Sequence, residues 1–435
     1  EYYGYVGTLL KVNLTDMTVE KIPTNTYDTD KWIGGRGLGS IIQWTECPTT
    51  AGALDPENVL TFLTGSLTGT MLDGGRTFVQ AVSPAGYPDT GSFARSSFGS
   101  SFAPEMKFAG YDGIIFMCKA PYPVYFYIND DIAEIRDARD LWGMDNFAVQ
   151  NELYRRSGNK AKIASIGPAG EHMSMFSTIL SDESSATGMG SFGAVMGSKN
   201  LKAISIQGTG SVKVADPQGL LDLVEYTQNL CCRKLYETTP EAPANSYVGS
   251  WQASLPLTDT DLYKEARDPE GKLEIAYTGC YSCPWGGCGY GVRFKDGSGM
   301  SLGQLRCTEA IPVSAESAAC GEYVGRAHMK RLTLNERLGL SDCNTWFQGL
   351  DPIFQAGNIL TEENTGIDWT NFGTEDFTRE LMYSVAYQST EVGAAIAKGW
   401  RYFLEEYIGT PEAKYFYRAI RGIRNSPKHN GGGVC

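Results

Sequence analysis

The stretch Cys280-Tyr281-Ser282-Cys283-Pro284-Trp285-Gly286-Gly287-Cys288 puts three thiols within nine residues, spaced C-x2-C-x4-C. A loop this tight lets three sulfurs converge on one inorganic centre. Pro284 bends it, and Gly286 and Gly287 let the backbone come close without a side chain in the way. Thiolates in such a loop bind zinc or an iron–sulfur cluster. Disulfides are the alternative, but three cysteines this close leave one over, and the flanks do not look like a small disulfide-rich module. The loop lacks a fourth ligand, which must come from a distant part of the chain.

The rest of the chain has to supply a scaffold for that centre. At 435 residues, two or three domains and an ample core are expected. A net charge of −13 removes the basic face that nucleic-acid binding needs, and suits docking of a basic partner surface. The 11 cysteines are scattered apart from the loop and Cys231-Cys232, which fits a reducing, cytoplasmic setting. The opening Glu1-Tyr2-Tyr3-Gly4 has no leader pattern, and no run of ~18 apolar residues spans a membrane. The 3 histidines, His172, His328 and His429, argue against a histidine-rich metal site.

Residues 5–12 read as a strand, Asn13 to Met17 as a turn and residues 18–22 as the return. Further strands are expected at 58–64, 77–83, 113–118, 124–128, 162–166 and 203–206, and helices at 27–32, 102–109 and 145–156. The small-residue run from Gly91 to Ser101 reads as a loop. Gly34-Gly35-Arg36-Gly37-Leu38-Gly39 follows a helical stretch, so a dinucleotide-binding turn is a poor fit. A glycine-rich helix N-terminus that touches a phosphate fits better. Gly65 to Thr70 and Asp73-Gly74-Gly75-Arg76 offer backbone N–H groups and one guanidinium to an anion; a turn with a solvated arginine fits the same residues. Residues 211–216 read as a linker, and the pattern is helical from 217, with helices at 323–340, 344–360 and 374–406. The expected class is α+β, with a β-rich domain over 1–210 and mainly helical domain(s) over 211–435 that hold the cysteine loop.

Five further segments occur in a telling order: Gly65 to Thr70, Gly74-Gly75-Arg76, Glu105 to Asp112, Ala164 to Glu171 and Gly193 to Ala203. With the cysteine loop after them, the chain resembles the tungsten-dependent aldehyde:ferredoxin oxidoreductase family, including its benzoyl-coenzyme-A-reductase-like branch. The match runs nearly throughout residues 5–210 and is patchy afterwards. The resemblance implies a β-rich base that cradles a tungsten (or molybdenum) bis-pterin, with Mg2+ where the two pterin phosphates meet and one [4Fe–4S] cluster nearby. It implies Cys280, Cys283 and Cys288 as three cluster ligands, and a fourth cysteine from a D-x-x-G-L-C motif. The chain ends Asn430-Gly431-Gly432-Gly433-Val434-Cys435, so Cys435 is the candidate fourth ligand, with Asn430, Gly433 and Val434 at pterin-contact positions. A thiol at the chain end with no ligand role fits Cys435 as well. The partner motif, D-x-x-G-L-D in the family, reads Glu336-Arg337-Leu338-Gly339-Leu340-Ser341, which makes Glu336, Gly339 and Leu340 pterin candidates. Gly75 and Arg76 fall between cluster and pterin, and Arg95 and Ser97 where the family makes further pterin contacts.

For the reacting centre, the resemblance points to Glu309, displaced from the family's acidic segment, to His429 as a proton carrier, and to Cys307 (or Cys320) as a sulfur ligand to the metal, although a buried thiol is the commoner role for a free cysteine and explains either one better. The family's third, largely helical domain is expected between about residue 425 and the terminal motif, where this chain has little sequence, so substrate identity is not legible. The implied activity interconverts an aldehyde and a carboxylic acid, with electrons passing to ferredoxin or an Fe–S partner subunit in an oligomer or hetero-complex. Two alternatives are a benzoyl-coenzyme-A-reductase-like subunit acting on an aromatic thioester and a non-catalytic relay or scaffold subunit.

Overall fold

The computed structural model describes residues 2–72, 74–85, 91–182, 185–188, 190–229, 273–278, 280–283, 289–294, 301–306 and 326–424. Strands β1 (Thr8–Asn13) and β2 (Thr18–Pro23) form the expected antiparallel hairpin, with Met17 in the left-handed region at φ 54°. They join β3 (Leu60–Leu63), β4 (Thr77–Ser83), β5 (Ser92–Phe98) and β6 (Gly113–Met117) in a six-stranded sheet of order β2-β1-β6-β3-β4-β5. A second six-stranded sheet, order β11-β10-β9-β12-β7-β8, contains β7 (Val124–Asn129), β8 (Ile132–Asp137), β9 (Lys162–Ile166), β10 (Ile179–Ser181), β11 (Ser185–Ala186) and β12 (Leu201–Gln207).

The alternating side chains of the two sheets close on one shared core. Leu10, Val12, Phe62, Val79 and Phe98 meet Phe126, Ala164, Ile166, Ile204 and Ile206, all fully buried. Edge-to-face pairs link Phe62 to Phe98 and Phe116, and Phe116 to Phe126. Such an aromatic truncated to Ala would cost about 3–5 kcal/mol. Helix α1 (Gly34–Glu46) seals the outer face of the first sheet with Leu38 and Ile42; α2 (Phe102–Phe108) packs Phe102 and Met106 into the shared core. Helix α3 (Asn146–Ser157), capped by the Asp145 carboxylate on the Ala148 N–H, covers the second sheet with Val149 and Leu153.

Three expectations change. Residues 92–98 are a strand, not a loop: despite its small side chains the run ladders along all of β4, from Thr77↔Phe98 to Ser83↔Ser92. The helix expected at 27–32 is a 3-10 turn at Thr24–Tyr27, ended by Asp28 at φ 52°. A third sheet, β13 (Leu273–Thr278), β14 (Gly289–Phe294) and β15 (Ser301–Arg306), flanks the cysteine loop where no strand was expected. Thr278 pairs with Gly289, so the cysteine loop joins the two strands of a hairpin.

Beyond it, helix α4 (Arg326–Leu338) leads to a helical layer. The stretch expected as one helix over 374–406 breaks into Glu375–Tyr387, Glu391–Ala397 and a π-helical turn at Tyr402–Ile408. The breaks fall at Gln388 (φ 52°) and Gly399 (φ 96°), and Thr374 and Thr390 cap the first two helices. Trp346, Ile353, Met382, Ile396 and Phe403 form this layer's core. The α+β class therefore holds, with strands extending further along the chain than expected. No helix among the described residues is long and apolar enough to cross a membrane.

Candidate metal and cofactor site

The cysteine loop lands on glycines. Ser100 N–H donates to Cys280 Sγ at 3.4 Å, and Tyr281 N–H donates to the Ser100 carbonyl at 3.2 Å. A Cβ at Gly99 would come within 2.3 Å of Cys280 Sγ, and one at Gly75 within 3.2 Å of both Cys280 Cβ and Tyr281 N. Any other residue at Gly99 would push the sulfur away, so the glycines of this floor are there for close approach. Ser282 sits in the left-handed region (φ 53°), its hydroxyl donates to the Met71 carbonyl at 2.9 Å, and Cys283 N–H closes the turn on the Cys280 carbonyl at 3.2 Å. The Tyr281 ring packs edge-on against Phe108, 5.9 Å between centroids.

Two strand ends hold this floor together. Ser185, on β11, accepts from Gly99 N–H at 2.9 Å, and the Ser100 and Ser181 hydroxyls are 3.0 Å apart. Three residues after Ser185, the Gly188 carbonyl accepts from Ser341 and from Asn344, at 3.3 and 3.0 Å. Residues 185–188 thus lie between the cysteine loop and the turn that follows α4. That turn is pinned further: Thr178 N–H donates to the Gly339 carbonyl (2.8 Å), Asn146 Nδ2 to the Glu336 carbonyl (2.9 Å), and Gly339 is left-handed at φ 76° against Gly167. The Glu336 side chain and the Leu340 side chain are buried. Sequence reasoning singled out Glu336, Gly339 and Leu340 but missed Ser185 as the connecting residue. The small-residue run at that point was its one available signal.

Ser341 stands where the family's acid is expected, and Asp342 does not replace it. Its carboxylate takes Arg331 Nε at 2.9 Å, Arg331 Nη2 at 3.2 Å and Asn335 Nδ2 at 2.6 Å, all buried. Asp351 lies near them: burial, and after it the Asp342 charge, pushes its carboxyl up to about 6 against the opposing pull of Arg331.

The Glu105-to-Asp112 segment serves the scaffold. Lys107 and Asp112 are a fully buried pair at 2.7 Å. Asp112 also accepts from Val6 N–H, Gly7 N–H and the Thr24 hydroxyl, and Glu105 from Gly208 N–H. Burial holds the Lys107 ammonium below the usual lysine range, while Asp112 pulls it back up. In the second sheet Lys202 pairs with Glu171, whose carboxylate also takes Gly143 N–H.

Gly75 therefore adjoins Cys280, Arg76 is the next residue in sequence, and Arg95 and Ser97 lie on β5 rather than in a loop, across from Gln80 and Phe78. Cys288, Cys307, Glu309, His429, Asn430, Gly433, Val434 and Cys435 lie outside the described residues. Among the described residues no three His, Cys, Asp or Glu side chains gather as a metal site. Cys280 and Cys283 nevertheless suit a cluster: an N–H donated to the Cys280 sulfur stabilises a thiolate, and the glycine floor leaves room beside it.

A relative described as a tungsten-containing aldehyde ferredoxin oxidoreductase, from Pyrococcus furiosus, is 42% identical over 434 residues, which are 94% of this chain and 68% of the relative. This chain belongs to the tungsten-containing aldehyde ferredoxin oxidoreductase family. The family's N-terminal domain matches residues 9–208. The Pyrococcus abyssi protein of the same description is 43% identical over 381 residues, and the chain spans 58% of its length. A more distant relative, the aliphatic sulfonate oxidoreductase, WOR-like subunit, of Pyrococcus furiosus, is 30% identical over 431 residues, 91% of this chain and 66% of that one. Among solved structures, a chain of the active site complex BamBC of benzoyl coenzyme A reductase, with 1,5-dienoyl-CoA, superposes with a TM-score of 0.73 at 25% identity. That superposition covers 95% of this chain and 65% of the other.

Proposed function

We propose that this chain is a tungsten- or molybdenum-pterin oxidoreductase that interconverts an aldehyde and a carboxylic acid. Electrons would pass through a [4Fe–4S] cluster to ferredoxin or an Fe–S partner subunit in the cytoplasm. The supporting observation is the docking of Cys280 onto Gly75, Gly99 and the Ser100 N–H. Cys280, Cys283, Cys288 and Cys435 are assigned as the cluster ligands. When bound, the metal pterin supplies a two-electron redox centre and the cluster supplies one-electron transfer.

The chain's own residues have three tasks in this reading. Gly75, Arg76 and Ser97 line the path from cysteine loop to pterin, and Arg76 neutralises thiolate and phosphate charge beside Gly75. Glu336, Gly339 and Leu340, with Asn430, Gly433 and Val434, would hold the pterins, with Mg2+ as a further cofactor. Glu309, His429 and Cys307 serve the reacting centre. Converting RCHO and water to RCOO− releases two electrons and three protons, so at least one of these groups must accept a proton.

The superposition on the benzoyl coenzyme A reductase complex supports a second reading, reduction of an aromatic acyl thioester. Metal and pterin analysis of the purified protein tests both: about four irons and one tungsten per chain are expected. Iron without tungsten would mark a non-catalytic relay subunit, and neither metal a scaffold subunit. Aldehyde oxidation with a viologen acceptor supports the first reading; aryl-coenzyme-A reduction without aldehyde oxidation replaces it with the second.

A further inference from the structure

The glycine run at the start of α1 has a different purpose from the one its sequence suggests. Its first two amides are already engaged: Gly34 N–H donates to the Tyr5 hydroxyl at 3.0 Å, and Gly35 N–H to the Thr64 carbonyl at 2.8 Å. Neither is left for an anion. Gly35 instead makes room for an aromatic ring, since a Cβ there would come within 2.8 Å of Phe78 Cδ2. Gly39 does the same for the Gln80 amide.

That close approach sets the Arg36 guanidinium over the Phe78 ring, 5.6 Å from its centroid. On the same sheet face, Phe78 is paired with Ser97 and Gln80 with Arg95. Arg36 and Arg95 therefore converge from helix and strand on one patch, floored by Phe78. Burial and the Arg95 charge hold the Arg36 guanidinium below the usual arginine range, the mark of two cations facing each other. Neither guanidinium has an acid partner among the described residues, although the chain has 50 acidic residues. A second observation lies beside the pair. Gln80 is 1% exposed, and its Nε2 donates to the Gly35 carbonyl at 3.0 Å, which leaves Oε1 without a donor among the described residues. Gln43, one helical stripe along from Arg36, is 8% exposed with both amide atoms in the same condition. A like-charged pair with a buried acceptor beside it matches a ligand that offers an anion together with an N–H or O–H.

We propose that Arg36 and Arg95 form a two-guanidinium site, floored by Phe78 and flanked by Gln80, that binds a phosphate monoester. The planar forks suit bidentate contact with phosphate oxygens. The proposal extends the pterin reading, because a phosphate of that cofactor is one source of the anion; a phosphate borne by a substrate or partner is the other.

The test uses the full chain in two forms, pterin-loaded and stripped of pterin, titrated calorimetrically with inorganic phosphate at fixed ionic strength. The stripped protein should bind one phosphate. Arg36→Gln and Arg95→Gln should each weaken binding at least about fivefold, and the double variant should abolish it. Arg95→Lys, which keeps the charge, should stay within a few-fold of wild type and so separates lost charge from lost fold. If the loaded protein no longer binds phosphate, the cofactor fills the site; if it binds as the stripped form does, another phosphate ester fills it. Either result supports the pair. Unchanged phosphate affinity in the double variant, or none in the stripped wild type, overturns it. Because the titration needs no metal, it decides the arginine pair even if metal analysis rejects the pterin enzyme.

Discussion

The interior of the two-sheet base and its glycine-lined rim handle positive charge in opposite ways. Inside, Lys107 and Lys202 are fully buried and each meets a carboxylate, Asp112 and Glu171, which is itself held by backbone N–H groups. At the rim, Arg36 lies over Phe78, Arg95 is paired with Gln80 and Arg76 follows Gly75 in sequence, and none of the three has an acid partner among the described residues. The difference separates charge satisfied inside the fold, including buried Lys199 on the Pro56 and Cys118 carbonyls, from guanidinium charge left at the rim without an acid among the described residues. A motif read from sequence does not make that distinction: the Glu105-to-Asp112 segment marks the family as strongly as Gly74-Gly75-Arg76 does, yet it holds the scaffold together.

The largest effects should dissociate the two regions. Cys280→Ala should abolish the iron chromophore and leave the unfolding midpoint of the metal-free protein within about 0.5 kcal/mol of wild type, read by absorbance and urea titration. Asp112→Ala should do the converse. It leaves the buried Lys107 ammonium on the Gly4 carbonyl and the Tyr5 ring without its carboxylate, so a loss of about 3–5 kcal/mol is expected, with iron content per folded chain unchanged. If Asp112→Ala lost iron in proportion to stability, the separation between scaffold and rim would collapse.

Gly99→Ala should have an intermediate effect. Its Cβ meets Cys280 Sγ at 2.3 Å, so the loop must shift, and iron occupancy should fall while the metal-free fold is nearly unaffected. Wild-type occupancy in this variant would show that Cys280 is not held where iron needs it.

The smallest effect concerns Asp351, a buried acid whose nearest cation is committed to Asp342. Its folded-state value, about 6, lies above its unfolded one, so the native fold favours the protonated acid. That contribution is fully present below about pH 4 and is lost as pH rises through about 6. Asp351→Asn stays neutral throughout. Relative to wild type it should therefore gain about 2–3 kcal/mol between about pH 4 and pH 8, read from denaturation midpoints. A pH-independent difference would place Asp351 in water.

How far the sequence could be read depended on whether the signal was local. The β1–β2 hairpin, the β4 strand and α3 with its Asp145 cap follow from alternation, period and capping within a few residues. β5 does not, because Ser92, Ala94 and Ser96 have little preference for a strand and the ladder to β4 decides for them. β14 and β15 escaped for the same reason: their Gly- and Ser-containing runs are ordered by their neighbours, and β13 (Leu273–Thr278) pairs onto them. At the site, Cys280, Gly75 and Glu336 were visible as residue types at a spacing. Ser185 and Arg36 were not, since what makes them part of the site is the approach of segments over 80 residues apart or of a helix to a sheet.

The hairpin formed by β13 and β14 bears on how an inorganic centre could be assembled. Strand pairing at Thr278 and Gly289 ties both ends of the cysteine segment together through backbone contacts alone. Most of the entropy of closing that segment is then lost when the hairpin forms, and not charged against metal affinity. A site preassembled in this way should capture iron at low free concentration, and the remote fourth sulfur would act as a latch added afterwards.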